Sequence, residues 1–307
     1  MKPTPCEESQ LSTEQIDRRH GDLDSLSTAD MLDAMYEGQR MAVAAVKPAL
    51  PQIAGAVEAA AAVLRHGGRL IYVGAGTSAR IGVQDGAELT PTFDWPSERL
   101  AFLIAGGLDA LSRSIEGAED SKDDGVRAVT AARVGPQDVV IAVAASGTTP
   151  FTVAALGAAR EAGAMTVAIA SNAGSAMLHE AGHRILVETG EEIVAGSTRM
   201  KAGTAQKIVL NLFSTALMVK LGRVYRGLMV DMRTTNAKLH RRAKAILREL
   251  TGCSEADAAN YLAQARGNLK LAILLGHGAS LQTASSALDR HAGNLHLALQ
   301  DLGYSDA

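Results

Sequence analysis

The chain has 307 residues, 47% of them hydrophobic and only 3% aromatic, with 30 basic against 33 acidic residues and a net charge of −3. That length builds one large core with room for a small second domain. The balanced charge gives no electrostatic ground for a nucleic-acid partner or an anionic membrane surface. Cys6 and Cys253 show neither a disulfide framework nor zinc-ligand spacing, which fits a reduced, cytoplasmic setting. Residues 1–17 lack a signal-peptide apolar core, and no run of about 18 uncharged apolar residues is present to span a bilayer.

In chain order, residues 1–27 are polar and are expected to be mobile. Ser27 offers an N-cap for a helix from Thr28 to Val46, with Met31, Met35 and Ala42 on its apolar side. Pro48 and Pro51 interrupt the pattern. An Ala- and Val-rich helix is predicted from Gln52 to Leu64, closed by His66-Gly67-Gly68. Apolar runs then recur at 70–73, 100–104, 139–144, 166–170 and 185–187. Helical patterns separate them at 78–89, 110–118, 124–132, 150–162 and 175–180. This alternation predicts an α/β fold, a doubly wound five-stranded parallel sheet with right-handed crossovers. A helical N-terminal segment (1–58) precedes the sheet domain (59–225), and a small helical bundle (226–307) follows.

The carboxyl ends of the predicted strands carry the informative loops. The first run, Leu70 to Val73, leads into Gly74-Ala75-Gly76-Thr77-Ser78 and a helix start. Glycine lets the backbone turn and approach a ligand, and a helix start offers free N–H groups and partial positive charge to an anion. Thr and Ser add neutral hydroxyl donors. The third run ends Ala145-Ser146-Gly147-Thr148-Thr149-Pro150, with Pro150 suited to a first helical turn. The fourth ends in a third polar loop, Ser171-Asn172-Ala173-Gly174-Ser175.

Two hydroxyl-rich loops at one rim predict a phosphate cradle, with Ser78, Ser146 and Thr148 as donors. A nucleotide fits poorly. Ala79 stands where the dinucleotide fingerprint prefers its third Gly, and Ala105-Gly106-Gly107 after the second run offers no acid for a ribose. The expected anion is a small phosphate ester.

Further on, Gly196-Ser197-Thr198 reads as the start of a long helix ending near Gly222. Arg199, Lys201 and Lys207 there either face solvent or meet an anion that offsets their clash with the helix dipole. From Leu239 the chain reads as wholly helical. Gly267-Asn268-Leu-Lys-Leu-Ala272 is echoed by Gly293-Asn294-Leu-His-Leu-Ala298, a repeated helix start. His240 and His291 read as structural or solvated positions.

The loops at 74–78 and 145–150, with the run Gly196-Ser-Thr-Arg-Met-Lys-Ala-Gly-Thr-Ala-Gln-Lys207, resemble the sugar isomerase (SIS) phosphosugar-binding fold. More narrowly they resemble the N-acetylmuramic acid 6-phosphate etherase family. Ile104-Ala-Gly-Gly107, Glu116-Gly-Ala-Glu-Asp-Ser121, Leu228-Met-Val-Asp231, Thr235-Asn236 and Lys238-Leu-His240 match that family too. The likeness runs from about Leu26 to Gln300. Ala79, Gly86 and Thr148-Thr149 depart from the family pattern. The closing helices are similar to a ubiquitin-associated-type module.

The resemblance implies cleavage of the D-lactyl ether of N-acetylmuramic acid 6-phosphate, giving N-acetylglucosamine 6-phosphate and D-lactate. It implies no metal and no redox cofactor. In the open-chain sugar the C2 proton is α to an aldehyde; a base removes it and an acid protonates the departing C3 oxygen. By the family motifs Glu88 is the proton donor and Glu119 the base, with Glu116 and Asp120 close rivals of Glu119. Gly86, Ala87 and Leu89 suggest a desolvated setting for Glu88. The phosphosugar is expected to contact Gly76, Thr77, Ser78, Ser146, Gly147, Thr148, Ser197, Thr198 and Lys201. SIS folds commonly pair, and the N-terminal helices supply an apolar surface for a homodimer. Two other classes share the loops: regulators that sense sugar phosphates without turnover, and aldose–ketose isomerases. The regulators are longer, with two SIS domains, and the isomerases need no acid at C3.

Overall fold

The computed structural model describes residues 11–232 and 237–304; Cys6 and the family-matching Thr235-Asn236 lie outside the described residues. The chain divides into two compact units, Met1–Gly86 with Glu98–Ser214, and Ala87–Ser97 with Thr215–Ala307.

In the first unit, helix α1 spans Thr28–Val46, and the Ser27 hydroxyl caps it by accepting from the Asp30 N–H at 3.2 Å. Helix α2 (Leu50–Leu64) starts two residues earlier than expected, with Pro51 in its first turn, where a missing N–H costs nothing. Five strands follow: β1 (Leu70–Gly74), β2 (Leu100–Ile104), β3 (Val139–Val143), β4 (Met165–Ala170) and β5 (His183–Leu186). They form one sheet in the order β2-β1-β3-β4-β5, every pair parallel. Strands β1 and β3 are buried throughout, as a sheet covered on both faces requires.

The crossovers contain α3 (Gly76–Ala87), α4 (Leu89–Phe93), α5 (Lys122–Ala131), α6 (Pro150–Glu161) and α7 (Ala176–Glu180), and α8 (Lys201–Lys220) follows the sheet. Side chains from Ile71, Val73, Val140 and Ala142 pack with Phe151, Leu156 and Met177 in one core cluster of this unit. From β1 the chain goes to β2 on one side, then returns to β3 on the other. The order therefore reverses between β1 and β3, the place where open α/β sheets bind ligands.

Three stretches differ from the sequence expectation. No α-helix forms over 110–118. Two 3-10 turns, Leu108–Leu111 and Ala118–Asp120, lie there instead, each preceded by a positive-φ glycine, Gly107 at 73° and Gly117 at 69°. The Arg80 guanidinium donates to the carbonyls of Ala110 and Leu111 at 3.0 to 3.2 Å, so those acceptors are not left for a helix ladder. Residues 11–27 are not a loose polar lead but fold into three 3-10 turns with Thr13 fully buried. Helix α8 begins at Lys201, five residues after Gly196. The carboxylate of buried Glu192 accepts from the N–H groups of Lys201 and Ala202, both at 2.9 Å, and so caps the helix there.

Among the described residues the second unit has α4, the end of α8, a short antiparallel ribbon, β6 (Val224–Tyr225) with β7 (Leu228–Met229), and five further helices. These are α9 (Ala237–Thr251), α10 (Glu255–Gln264), α11 (Leu269–Gly276), α12 (Leu281–Arg290) and α13 (Leu295–Asp301). Leu247, Leu262, Ile273, Ala287 and Leu295 are in its core. The sequence echo is a structural one. Gly267 and Gly293 both have positive φ, and the side chains of Asn268 and Asn294 cap the next helices by accepting from Leu271 and Leu297 N–H, each at 3.1 Å. Arg223 fastens residues 87–97 to this unit: it donates to the Phe93 and Asp94 carbonyls at 2.9 Å and lies over the Trp95 ring.

Candidate active site

A cavity of about 600 Å³ opens at the carboxyl ends of β1 and β3. One wall is Ala75, Gly76, Thr77 and Ser78, where β1 turns into α3. A Cβ on Gly74 would stand 3.1 Å from both the Ala79 nitrogen and the Val143 carbonyl oxygen, so the tight exit of β1 suits glycine. The facing wall is Ala144, Ala145, Ser146, Thr148, Thr149 and Pro150, where β3 turns into α6. Thr149 makes no side-chain cap to α6, leaving the first N–H groups of that helix without one. The Ser146 hydroxyl accepts from the Thr148 N–H at 3.2 Å and keeps its own proton to donate. Gly147 does not line the cavity; at φ 70° it shapes the loop from behind, and a Cβ there would stand 2.2 Å from Ser175 Oγ.

Both hydroxyl loops therefore face one space. Ser78 enters it differently than expected, because its hydroxyl donates to Gln206 Oε1 at 3.0 Å. Its proton is committed to the protein rather than to an ester. Gln206 is buried, and among the described residues its Nε2 has no hydrogen-bond partner. Sequence reading gave Gln206 only as part of a motif.

Glu119 and Asp120 line the cavity from the 3-10 turn at 118–120, whereas Glu116 does not. Both are exposed carboxylates. Thr198 also lines it, but Ser197 does not. Lys201 is only 4% exposed, and its methylenes lie against Gly38, where a Cβ would meet Lys201 Cδ at 3.5 Å. It is not among the lining residues, because the Glu192 cap holds this first turn of α8 in the protein interior. Glu88 directly follows the last residue of α3; it is solvent-exposed, so its neighbours do not enclose it, and it is not among the lining residues.

Behind the first wall, Asp85 on α3 is buried and accepts from Tyr72 Oη at 2.8 Å, Asn211 Nδ2 at 2.6 Å and Ser214 Oγ at 3.1 Å. Burial pushes its carboxyl above the usual range, and these three donors together with Lys207 pull it back in part. The network ties α3 to β1 and α8, which keeps the Gly76–Ser78 turn in register. Among the described residues, no group of three or more His, Cys, Asp or Glu is placed to hold a metal ion.

Leu11 and Glu14 complete the lining, and sequence reading placed neither there. Their signal is non-local: Asn172, in the loop after β4, holds residues 12 and 13 by side-chain hydrogen bonds.

Comparison with known proteins agrees with this geometry. Residues 119–216 match the SIS domain family, and residues 52–160 match the glucokinase regulatory protein N-terminal SIS domain. Residues 226–270 match the C-terminal lid domain of glucokinase regulatory protein. A phosphoheptose isomerase structure from Francisella tularensis superposes with a TM-score of 0.51 at 17% identity, covering 63% of this chain and 100% of that one. The fold and its paired loops thus define a protein of the SIS fold. Two curated relatives are named N-acetylmuramic acid 6-phosphate etherase. The one from Deinococcus radiodurans is 49% identical over 96% of each chain. The one from Geobacillus thermodenitrificans is 48% identical over 86% of this chain and 90% of its own. This chain belongs to the N-acetylmuramic acid 6-phosphate etherase family.

Proposed function

We propose that the chain cleaves the D-lactyl ether of N-acetylmuramic acid 6-phosphate in the cavity between β1 and β3. The observation that carries this is the meeting of two hydroxyl-and-helix-start loops with the carboxylate of Glu119 in one space. The phosphate ester takes the donors: Ser146 and Thr148 hydroxyls, Thr77, and N–H groups at the starts of α3 and α6. Ser78 serves through its backbone N–H, with Gly147 shaping its loop. Ser197 and Lys201 support the α8 start rather than the ester, and Thr198 borders the sugar.

In the open-chain substrate Glu119 removes the C2 proton, and the electrons shift towards the C1 aldehyde. The C3–O bond then breaks as the departing lactyl oxygen takes a proton; Glu88, which does not line this cavity, is the donor that the family resemblance implies. Water adds across the resulting C2=C3 bond, its oxygen to C3 and a proton to C2. One water is consumed, and D-lactate and N-acetylglucosamine 6-phosphate are formed. These residues do the work by positioning and proton transfer. Release of D-lactate, with heavy-oxygen label from water entering C3 of the sugar product, tests the reaction. Attack on the lactyl carbon would instead retain the sugar oxygen.

A sensor without turnover is the reading that the glucokinase regulatory protein matches favour. Glu119 in the cavity and etherase relatives that span nearly the whole chain favour the enzyme. Binding of the substrate with no lactate released is the outcome that would support the sensor.

The working form is a homodimer. Leu32, Tyr36 and Val43 repeat at helical spacing on α1 and are 56 to 65% exposed, an apolar face for a second copy. Sedimentation of only a 31.9 kDa species, fully active at micromolar concentration, would rule this out. The cytoplasm is the setting proposed. Among the described residues no helix is long and apolar enough to cross a membrane.

A further inference from the structure

We infer that Glu14, carried on the N-terminal segment, is a substrate-contacting specificity residue of this cavity. The inference rests on the phosphosugar reading above. Glu14 and Leu11 line the cavity although they precede the sheet by more than fifty residues of chain. Their position is fixed by a buried clip. Asn172 Nδ2 donates to Thr13 Oγ1 at 3.0 Å and to the Ala145 carbonyl at 3.1 Å, while its Oδ1 accepts from Ser12 Oγ at 2.9 Å. Thr13 is fully buried and Asn172 is 4% exposed. One side chain thus joins the N-terminal segment to the residue that opens the Ser146 loop. The Glu14 carboxylate lies beside Gly196, its Oε2 3.1 Å from where a Cβ on that residue would stand.

Charge decides what Glu14 meets. A carboxylate repels a phosphate ester, and the ester has hydroxyls and helix starts elsewhere in the cavity. An ionised carboxylate only accepts hydrogen bonds, so its partner is a donor on the sugar, a hydroxyl or the acetamido N–H. The geometry makes Glu14 a reader of the sugar rather than of the phosphate.

The test compares wild type, Glu14→Ala, Glu14→Gln and Thr13→Val by calorimetric binding of N-acetylglucosamine 6-phosphate, glucose 6-phosphate and inorganic phosphate. Glu14→Ala should weaken the sugar phosphates by roughly 10- to 100-fold, the worth of one charge-assisted bond, and leave inorganic phosphate unchanged. Glu14→Gln keeps an acceptor and should lose less. Thr13→Val loosens the clip and should lose in the same direction, with the double variant no worse than Glu14→Ala. Loss confined to N-acetylglucosamine 6-phosphate assigns the acetamido N–H; equal loss on both sugars assigns a hydroxyl. Unchanged sugar affinity in Glu14→Ala overturns the inference, and so does an equal loss on inorganic phosphate, which would mark a merely structural segment. A wild type that binds sugar phosphates no better than inorganic phosphate indicts the phosphosugar reading instead.

Discussion

The Ser78 hydroxyl donates to Gln206 Oε1 at 3.0 Å, whereas the Ser146 hydroxyl accepts from the Thr148 N–H and keeps its proton. Two serines that read alike in sequence are therefore unequal phosphate donors. Ser146→Ala should weaken substrate binding by roughly tenfold or more, since a hydrogen bond to a charged group contributes about 1.5–3 kcal/mol. Ser78→Ala should cost clearly less. Comparison of KM for the two variants checks this, and equal losses would show that Ser78 also turns to the ester.

Gly147 is the loop position least able to change. Its φ of 70° suits glycine, and an added Cβ would stand 2.2 Å from Ser175 Oγ and 2.6 Å from Ser175 Cβ. Gly147→Ala should lower stability by about 1–3 kcal/mol through overpacking. It should also raise KM by distorting the Ser146–Thr148 turn. Thermal melts and KM together check it; a variant with native KM would uncouple this loop from binding.

Far from the cavity, at the start of the sheet, Asp138 accepts from Arg69 N, Nε and Nη2 and from the Gly135 N–H, at 2.7 to 3.1 Å. Burial alone raises its carboxyl, but these bonds and the Arg69 charge outweigh burial and hold it below the usual range. A depressed carboxyl contributes stability that is present above its unfolded value, about 4, and is lost as pH falls through the lower folded value. Wild type should therefore lose this increment on acidification below about pH 4, and Asp138→Asn should not. At pH 7 Asp138→Ala should cost about 2–3 kcal/mol; that is less than a fully buried pair because the Arg69 side chain is 27% exposed. Urea denaturation at both pH values measures it.

Chelation should leave turnover unchanged, because the proton transfer proposed for Glu119 and Glu88 needs no Lewis acid. Loss of lactate release in EDTA, restored by a divalent ion, would contradict this.

Much of the sheet was legible because parallel strands buried on both faces read as continuous apolar runs, as Leu70–Gly74 and Val139–Val143 do. The two cavity walls were legible because glycine and hydroxyl residues punctuate strand ends. What was not legible depends on partners distant in sequence. Asn172 buries Thr13 across 159 residues, so a polar lead became a wall of the site. Glu192 caps α8 at Lys201, nine residues on, against a local signal at Gly196. Arg80 takes the carbonyls of Ala110 and Leu111, so a helical pattern became two turns that present Glu119. Gly86 suits its packing, since a Cβ there would stand 2.7 Å from the Phe102 ring.

The assignment of Glu119 as the C2 base is tested most directly by exchange of the C2 hydrogen in heavy water, followed by NMR alongside lactate release. General acid and base groups typically contribute about 10²–10⁴-fold, so the effects should be large. Glu119→Gln should lose both exchange and lactate release. Glu88→Gln should stop lactate release yet keep C2 exchange, since the α-proton needs only the base and the aldehyde. Exchange that persists in Glu119→Gln and vanishes in Glu88→Gln would reverse the two roles, and normal turnover in both would remove these carboxylates from the chemistry.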